Sequence, residues 1–310
     1  MKRFIIVLLT GISCYAWSQQ KIDITKPMYG KVEKDESFKK AVASLRKDMI
    51  EKFGSVDEAV NDVLDKAWVL FFRNDLETAM IYFNQAWSLN PDFPDAYFGF
   101  AALLEMQRQY VEAIRFYQSG AEKDKDNQRS IICLLRIADC KEQLNDLRGA
   151  IDALSKIRNF NSDNPIVFKK SGYLYMKMGQ RTASLEAYTK AIELDPNDAV
   201  SFHNRAYVYQ MMEDNTKAIT DYTRSVILDP TFVSSYVNRG ILEMQRGNFD
   251  ASIQDFQTGI RLDPKKGEIR RLLGLAKLNV NDKQGACDDF KIAKELGDPL
   301  AGEIINEYCK

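Results

Sequence analysis

From residue 60 to residue 298 the chain alternates small, bulky and turn-forming positions with a period of 34. Pro196, Pro230 and Pro264 are spaced by 34 and 34, and each closes a Leu-Asp-Pro string. Pro91 closes Leu89-Asn90-Pro91 and lies 105 residues before Pro196, three periods plus three residues. A period of this length marks helix pairs that stack on one another. With the proline as position 32, position 8 is always small: Ala67, Ala101, Ala138, Gly172, Ala206, Gly240 and Gly274. Position 20, on the second helix, is small as well: Ala79, Ala113, Ala150, Ser184, Ala218, Ser252 and Ala286. One turn later position 24 is bulky: Phe83, Tyr117, Leu154, Tyr188, Tyr222, Phe256 and Phe290. Position 27 reads Ala86, Gly120, Ile157, Ala191, Ser225, Gly259 and Ala293. Small-against-large columns let neighbouring helices interlock at native density. Turns fall at Asn74-Asp75, Asn145-Asp146, Gly179-Gln180, Glu213-Asp214, Gly247-Asn248 and Asn281-Asp282.

These columns with their Leu-Asp-Pro endings resemble the tetratricopeptide repeat (TPR) family. Repeats four to six match best, as in Asn238-Arg239-Gly240 followed by Ile253, Phe256 and Leu262-Asp263-Pro264. The resemblance implies an all-α fold, a right-handed α-solenoid of about seven helix pairs. Repeat three departs most. Lys141 stands where an aromatic is usual, Ser162 replaces the proline, and the three extra residues fall near 128–130. The repeats are 60–93, 94–127, 131–164, 165–198, 199–232, 233–266 and 267–298.

Solenoids need caps, because a terminal repeat otherwise exposes an apolar face. Phe38, Val42, Leu45, Met49 and Ile50 recur at helical spacing and predict a capping helix within 36–59. Pro299 opens a second cap over 299–310, with Leu300, Ile304, Ile305 and Tyr308. Residues 19–35 carry Pro27, Gly30 and mixed charge without helical period, and read as an exposed leader.

Residues 1–18 have the pattern of a secretory signal peptide. Lys2 and Arg3 precede a mostly apolar run from Phe4 to Cys14, and Ala16-Trp17-Ser18 sets up cleavage before Gln19. The run is short of the roughly 20 residues a spanning helix needs. A lipid anchor on Cys14 is the alternative, disfavoured by Gly11 three residues earlier. The expectation is export to the periplasm or beyond the cell, with no stable membrane insertion after cleavage.

Apolar residues make up 45% and charged residues 28%, as in ordinary globular chains. Without Lys2 and Arg3 the chain has 41 basic and 44 acidic residues, a balance that gives nucleic acid no electrostatic footing. His203 is the single histidine, and no Gly-rich phosphate loop or Cys/His zinc spacing occurs. No enzyme, metal or cofactor is therefore expected, and the acidic residues read as solvated helix faces. Cys133 and Cys140 are seven apart on one helix, about 10.5 Å, too far for a mutual bond. Cys287, early in the second helix of repeat seven, and Cys309, at the end of the last helix, either pair in an oxidising compartment or stay as two thiols.

In the TPR family the first helices line a concave groove, with positions 2, 5, 6, 9, 12 and 13 contributing. Here the candidates are Lys169, Lys170, Tyr173 and Met176, then His203, Asn204, Tyr207 and Met211, then Asn238, Ile241 and Met244. Asn204 and Asn238 lie one repeat apart at position 6, where stacked amides can hold an extended peptide backbone. Some family members grip a C-terminal carboxylate with a Lys/Asn pair, an Asn and a basic pair. Lys169 and Asn204 fit two of those places, but Tyr173, Ser234 and Asn238 do not fit the rest, so a clamp of that kind is not expected. The expected partner is a protein or extended peptide, and the alternative is a cell-envelope glycan or small ligand in the same groove.

Overall fold

The computed structural model describes residues 23–31, 36–124, 128–157, 160 and 163–310. The signal-like segment, Cys14 and Ser162 lie outside them. The described residues form sixteen α-helices, one 3-10 helix at Pro27–Lys31 and no strand. The chain divides into two compact units, Met1–Ser162 and Asp163–Lys310.

In the first unit α1 (Glu36–Phe53) precedes three helix pairs. These are α2 (Val56–Phe72) with α3 (Leu76–Leu89), α4 (Pro94–Met106) with α5 (Tyr110–Lys123), and α6 (Gln128–Gln143) with α7 (Leu147–Ile157). The second unit has four pairs and a cap. They are α8 (Pro165–Lys177) with α9 (Arg181–Leu194), α10 (Ala199–Met211) with α11 (Asn215–Leu228), α12 (Val233–Gln245) with α13 (Phe249–Leu262), α14 (Gly267–Asn279) with α15 (Lys283–Glu295), and then α16 (Ala301–Tyr308). Within each unit the second helix of a pair packs on the first helix of the next.

The four columns form the core. Every residue at positions 8, 20, 24 and 27 is buried. The small residue at position 8 faces the ring at position 24 of its own repeat. A Cβ on Gly240 would stand 2.9 Å from Phe256, and one on Gly274 only 2.5 Å from Phe290. Alanine at either place therefore requires the ring to move.

Each pair is joined by a residue in the left-handed region at position 15: Asn74, Arg108, Asn145, Gly179, Glu213, Gly247 and Asn281. Arg108 extends the turn pattern to repeat two, where the sequence carries no turn-type residue. Side chains at the next position cap the second helices. Asp75, Asp146, Asp214 and Asp282 accept from backbone N–H groups of Thr78, Gly149, Lys217 and Gly285. Lys141, the departure in repeat three, donates to Asp146 at 2.9 Å and so braces that turn.

Three readings need correction. The first repeat begins at Val56, with Ser55 capping α2, so residues 56–59 belong to the repeat rather than to the N-terminal cap. The leader is not exposed throughout. The buried Asn84 amide donates to the carbonyls of Ile24 (3.1 Å) and Lys26 (2.9 Å), fixing that stretch along α3. Finally, Asp221, Asp255 and Asp289, all at position 23, are buried rather than solvated. Each needs a cation. Arg205 forks onto Asp221 through Nε and Nη2 at 2.7 and 3.0 Å, and Arg239 forks onto Asp255 at 2.9 and 2.7 Å. The third donor group of each arginine, Nη1, reaches back one repeat to Thr189 and Thr223.

The C-terminal cap is tied down twice. Cys287 and Cys309 are joined by a disulfide, with Cα atoms 5.7 Å apart. Asp298 accepts from Arg271 Nε and from the backbone N–H groups of Leu300 and Ala301, so one carboxylate starts α16 and anchors it to α14. Cys133 and Cys140 are free and buried, and burial pushes both thiols up to about 12.

Candidate functional site

The eleven groove candidates fall on α8, α10 and α12, the first helices of three successive repeats in the second unit. Tyr173 and Tyr207, both at position 9, are the most open of them, at 39% and 41% exposure. The Lys177 ammonium lies 5.4 Å from the Tyr173 ring centre. Met176 and Met211 are half-buried on the same helices.

Buried tyrosines organise the floor beneath them. The Tyr222 hydroxyl donates to Gln210 Oε1 at 3.0 Å and accepts from Asn238 Nδ2 at 3.2 Å. Asn204 holds the corresponding place one repeat earlier beside Tyr188, where position 12 is Met176 instead of a glutamine. The Tyr188 hydroxyl is consequently buried without a hydrogen-bond partner. Asn204 lies near enough to act against the rise that burial imposes on that phenol. The first unit builds the same junction with charge: Tyr117 donates to Glu105 Oε2 at 2.8 Å, and Arg136 pairs with Glu105 at 2.9 Å.

His203 sits between the rings of Tyr222 and Phe232, with centroids 5.3 and 4.7 Å away. Burial lowers its pKa from 6.5 to about 4, so the ring is neutral near pH 7. Its Nδ1 lies 2.8 Å from Ser235 Oγ, which lies 2.8 Å from Ser225 Oγ, which donates to the Ala199 carbonyl at 2.9 Å. Each hydroxyl has one proton. Ser225 uses its own on Ala199, Ser235 then donates to Ser225, and His203 must donate from Nδ1. The histidine is a structural donor at the junction of two repeats.

Several candidates are therefore less free than their positions suggest. Lys169 is paired with Asp198 at 3.0 Å. Burial pushes the Asp198 carboxyl up, but Ser201 and Lys169 outweigh it and hold the group below its ordinary value. Lys170 is half-buried. Ile241 and Met244 pack partly against the core around Phe256 and Leu273. Asn238 spends one N–H on Tyr222, which keeps its carbonyl and second N–H for other use. The arginine forks were missed in the sequence, although their signal was present: Arg at position 7 with Asp sixteen residues later, in two successive repeats.

Among the described residues no group of His, Cys, Asp or Glu could hold a metal ion, and no helix is long and apolar enough to cross a membrane.

Models of the tetratricopeptide repeat match residues 73–131 and 237–299, and a TPR repeat model matches 172–213, together more than half of the chain. The chain belongs to the tetratricopeptide repeat family. Solved structures agree on the fold. A tetratricopeptide repeat protein from Parabacteroides merdae superposes with TM-score 0.55 at 18% identity, covering 81% of this chain and 99% of its own. A MamA protein gives 0.51 at 24% identity, covering 56% and 94%. MamA from Desulfovibrio magneticus gives 0.50 at 17% identity, covering 54% and 94%. No curated protein matches the sequence.

Proposed function

We propose that this TPR protein is an exported, non-catalytic scaffold that holds an extended segment of a partner protein along α8, α10 and α12. The observation that carries the reading is the pair Tyr173 and Tyr207. Two large rings stand open one repeat apart at the same helix position, in a protein whose other tyrosine column is buried. Open rings supply contact area at small entropic cost. Between and beside them Asn204 and Asn238 offer amide groups to a peptide backbone, and Met176 and Met211 offer adaptable apolar surface.

The repeats set the spacing. Two helix layers packed at about 8–10 Å each place equivalent positions about 10 Å apart once the pair is splayed. An extended peptide rises about 3.3 Å per residue and would meet one rung for roughly every three residues.

Tyr173→Ala with Tyr207→Ala is the decisive variant, because neither ring is in a packing column. Protein carrying both changes should keep its helicity and melting temperature and lose capture of its partner from envelope extract. Capture that survives the double change refutes the groove. Capture that disappears after glycan digestion of the extract transfers the groove to a glycan. Mass spectrometry of protein from its native cell should find Gln19 at the N-terminus, and an intact Met1 on cytoplasmic protein would contradict export.

A further inference from the structure

In repeats five and six an arginine at position 7 covers the buried aspartate at position 23 and reaches the threonine at position 25 of the preceding repeat. Repeat seven keeps the aspartate but has Leu273 at position 7, and position 25 before it is Gln257. Asp289 is held instead by Arg270 Nη1 at 2.8 Å and Lys277 Nζ at 2.6 Å, one from each side. Between α13 and α14 this leaves a cavity of about 590 Å³, whose polar lining is Gln254, Gln257, Thr258, Arg261, Arg270 and Lys277, with Ile260 and Leu273 as its apolar wall.

The charge of that cavity is not balanced. Three cations line it, and Asp289, 3% exposed, is a carboxylate that only Arg270 and Lys277 share. Arg261 has no carboxylate partner, and its Nη2 donates to Thr258 Oγ1 at 2.9 Å. Arg270 makes a single hydrogen bond, and its Nε is closed off from solvent with no acceptor. Asp288 on α15 feels Lys277 but is bonded to Gln284 and Lys291. Two positive charges thus remain, beside two glutamine amides whose NH2 groups can also donate.

We propose that this cavity binds an oxyanion, the phosphate or carboxylate group of a ligand. Such a group accepts from several N–H donors at once and relieves the repulsion among Arg261, Arg270 and Lys277. The site is separate from the groove, since Arg270 and Lys277 occupy positions 4 and 11 of α14 rather than the groove positions.

Calorimetric titration of the full protein at constant ionic strength tests it with two probes. One is inorganic phosphate, and the other is an N-acetylated dipeptide with a free C-terminus, compared with its amidated form. Saturable binding of phosphate alone, of the free carboxylate alone, or of both supports the site and names the source of the anion. Arg261→Glu should weaken the binding by about tenfold or more, the scale of a charge-assisted contact. Arg246→Glu, an equal change of net charge at an exposed turn, should leave it unchanged. Neither residue supports the fold, so both variants remain testable. Failure of both probes to saturate, or equal effects of the two reversals, overturns the proposal.

Discussion

Repeats six and seven carry the same buried aspartate column, at Asp255 and Asp289, and neutralise it by different means. In repeat six a single arginine does so, with both fork donors on one carboxylate and the third donor group on the preceding repeat. In repeat seven two cations share the carboxylate, each through one bond. The first arrangement couples neighbouring repeats through one side chain and has no substitute. The second is redundant and leaves charge over. Repeat seven packs on the single helix α16 and holds it by a disulfide and by Asp298. An interior repeat is thus locked by its neighbours, and an end repeat by local cross-links.

Removal of each arginine breaks this comparison most directly. Arg239→Leu leaves Asp255 buried without a cation and should cost about 3–5 kcal/mol in denaturant unfolding. Arg270→Leu leaves Lys277 on Asp289 and should cost about 1 kcal/mol. Equal losses would mean that the two repeats are not built differently.

The end repeat depends on its cross-link. Cys309→Ser opens a loop of 22 residues and should remove about 3 kcal/mol from the cap. Hydrogen exchange in α16 and α15 should quicken while α10 to α12 stay protected. Uniform quickening over the whole unit would show that the bond supports more than the end.

Acid separates the repeats by another route. The unfolded His203 takes a proton near 6.5 and the folded one only near 4, so its contribution is present above pH 6.5 and lost as pH falls toward 4. The loss should reach about 2 kcal/mol for this partly buried ring. His203→Gln should flatten that stretch of the stability curve relative to the unchanged protein. Repeat seven has Arg271 at the same position, bound to Asp298, and contributes no such slope. An identical pH profile in the variant would remove His203 from the account.

The smallest effect concerns the turns. Glu213 holds a left-handed conformation that glycine fills in repeats four and six. Glu213→Gly should raise stability by about 0.5–1 kcal/mol, since the relief of Cβ strain exceeds the added chain entropy. A loss would show that the Glu213 side chain itself contributes to the turn.

Legibility in the sequence followed the kind of interaction. The columns at positions 8, 20, 24 and 27 could be read because burial selects residue size, and size recurs with the period. The groove positions came from the family resemblance and not from these columns. Asp221 and Asp255 were misread as solvated, because a charged letter does not disclose whether its partner sixteen residues away closes over it. Asn238 and Lys169 were placed in the groove, but their bonds to Tyr222 and Asp198 depend on atoms from different helices.

The sequence by itself determined that this chain is a stack of tetratricopeptide helix pairs, where the pairs turn, and which residues fill the core. Those features are periodic, and each follows from local size and backbone preference. Only the tertiary structure decided which charges are buried and paired, that Asn84 pins the N-terminal stretch, that Cys287 meets Cys309, and that Leu273 leaves a cationic cavity. Each of these rests on distances between side chains far apart in sequence, and a few ångströms there separate a buried fork from a solvated surface.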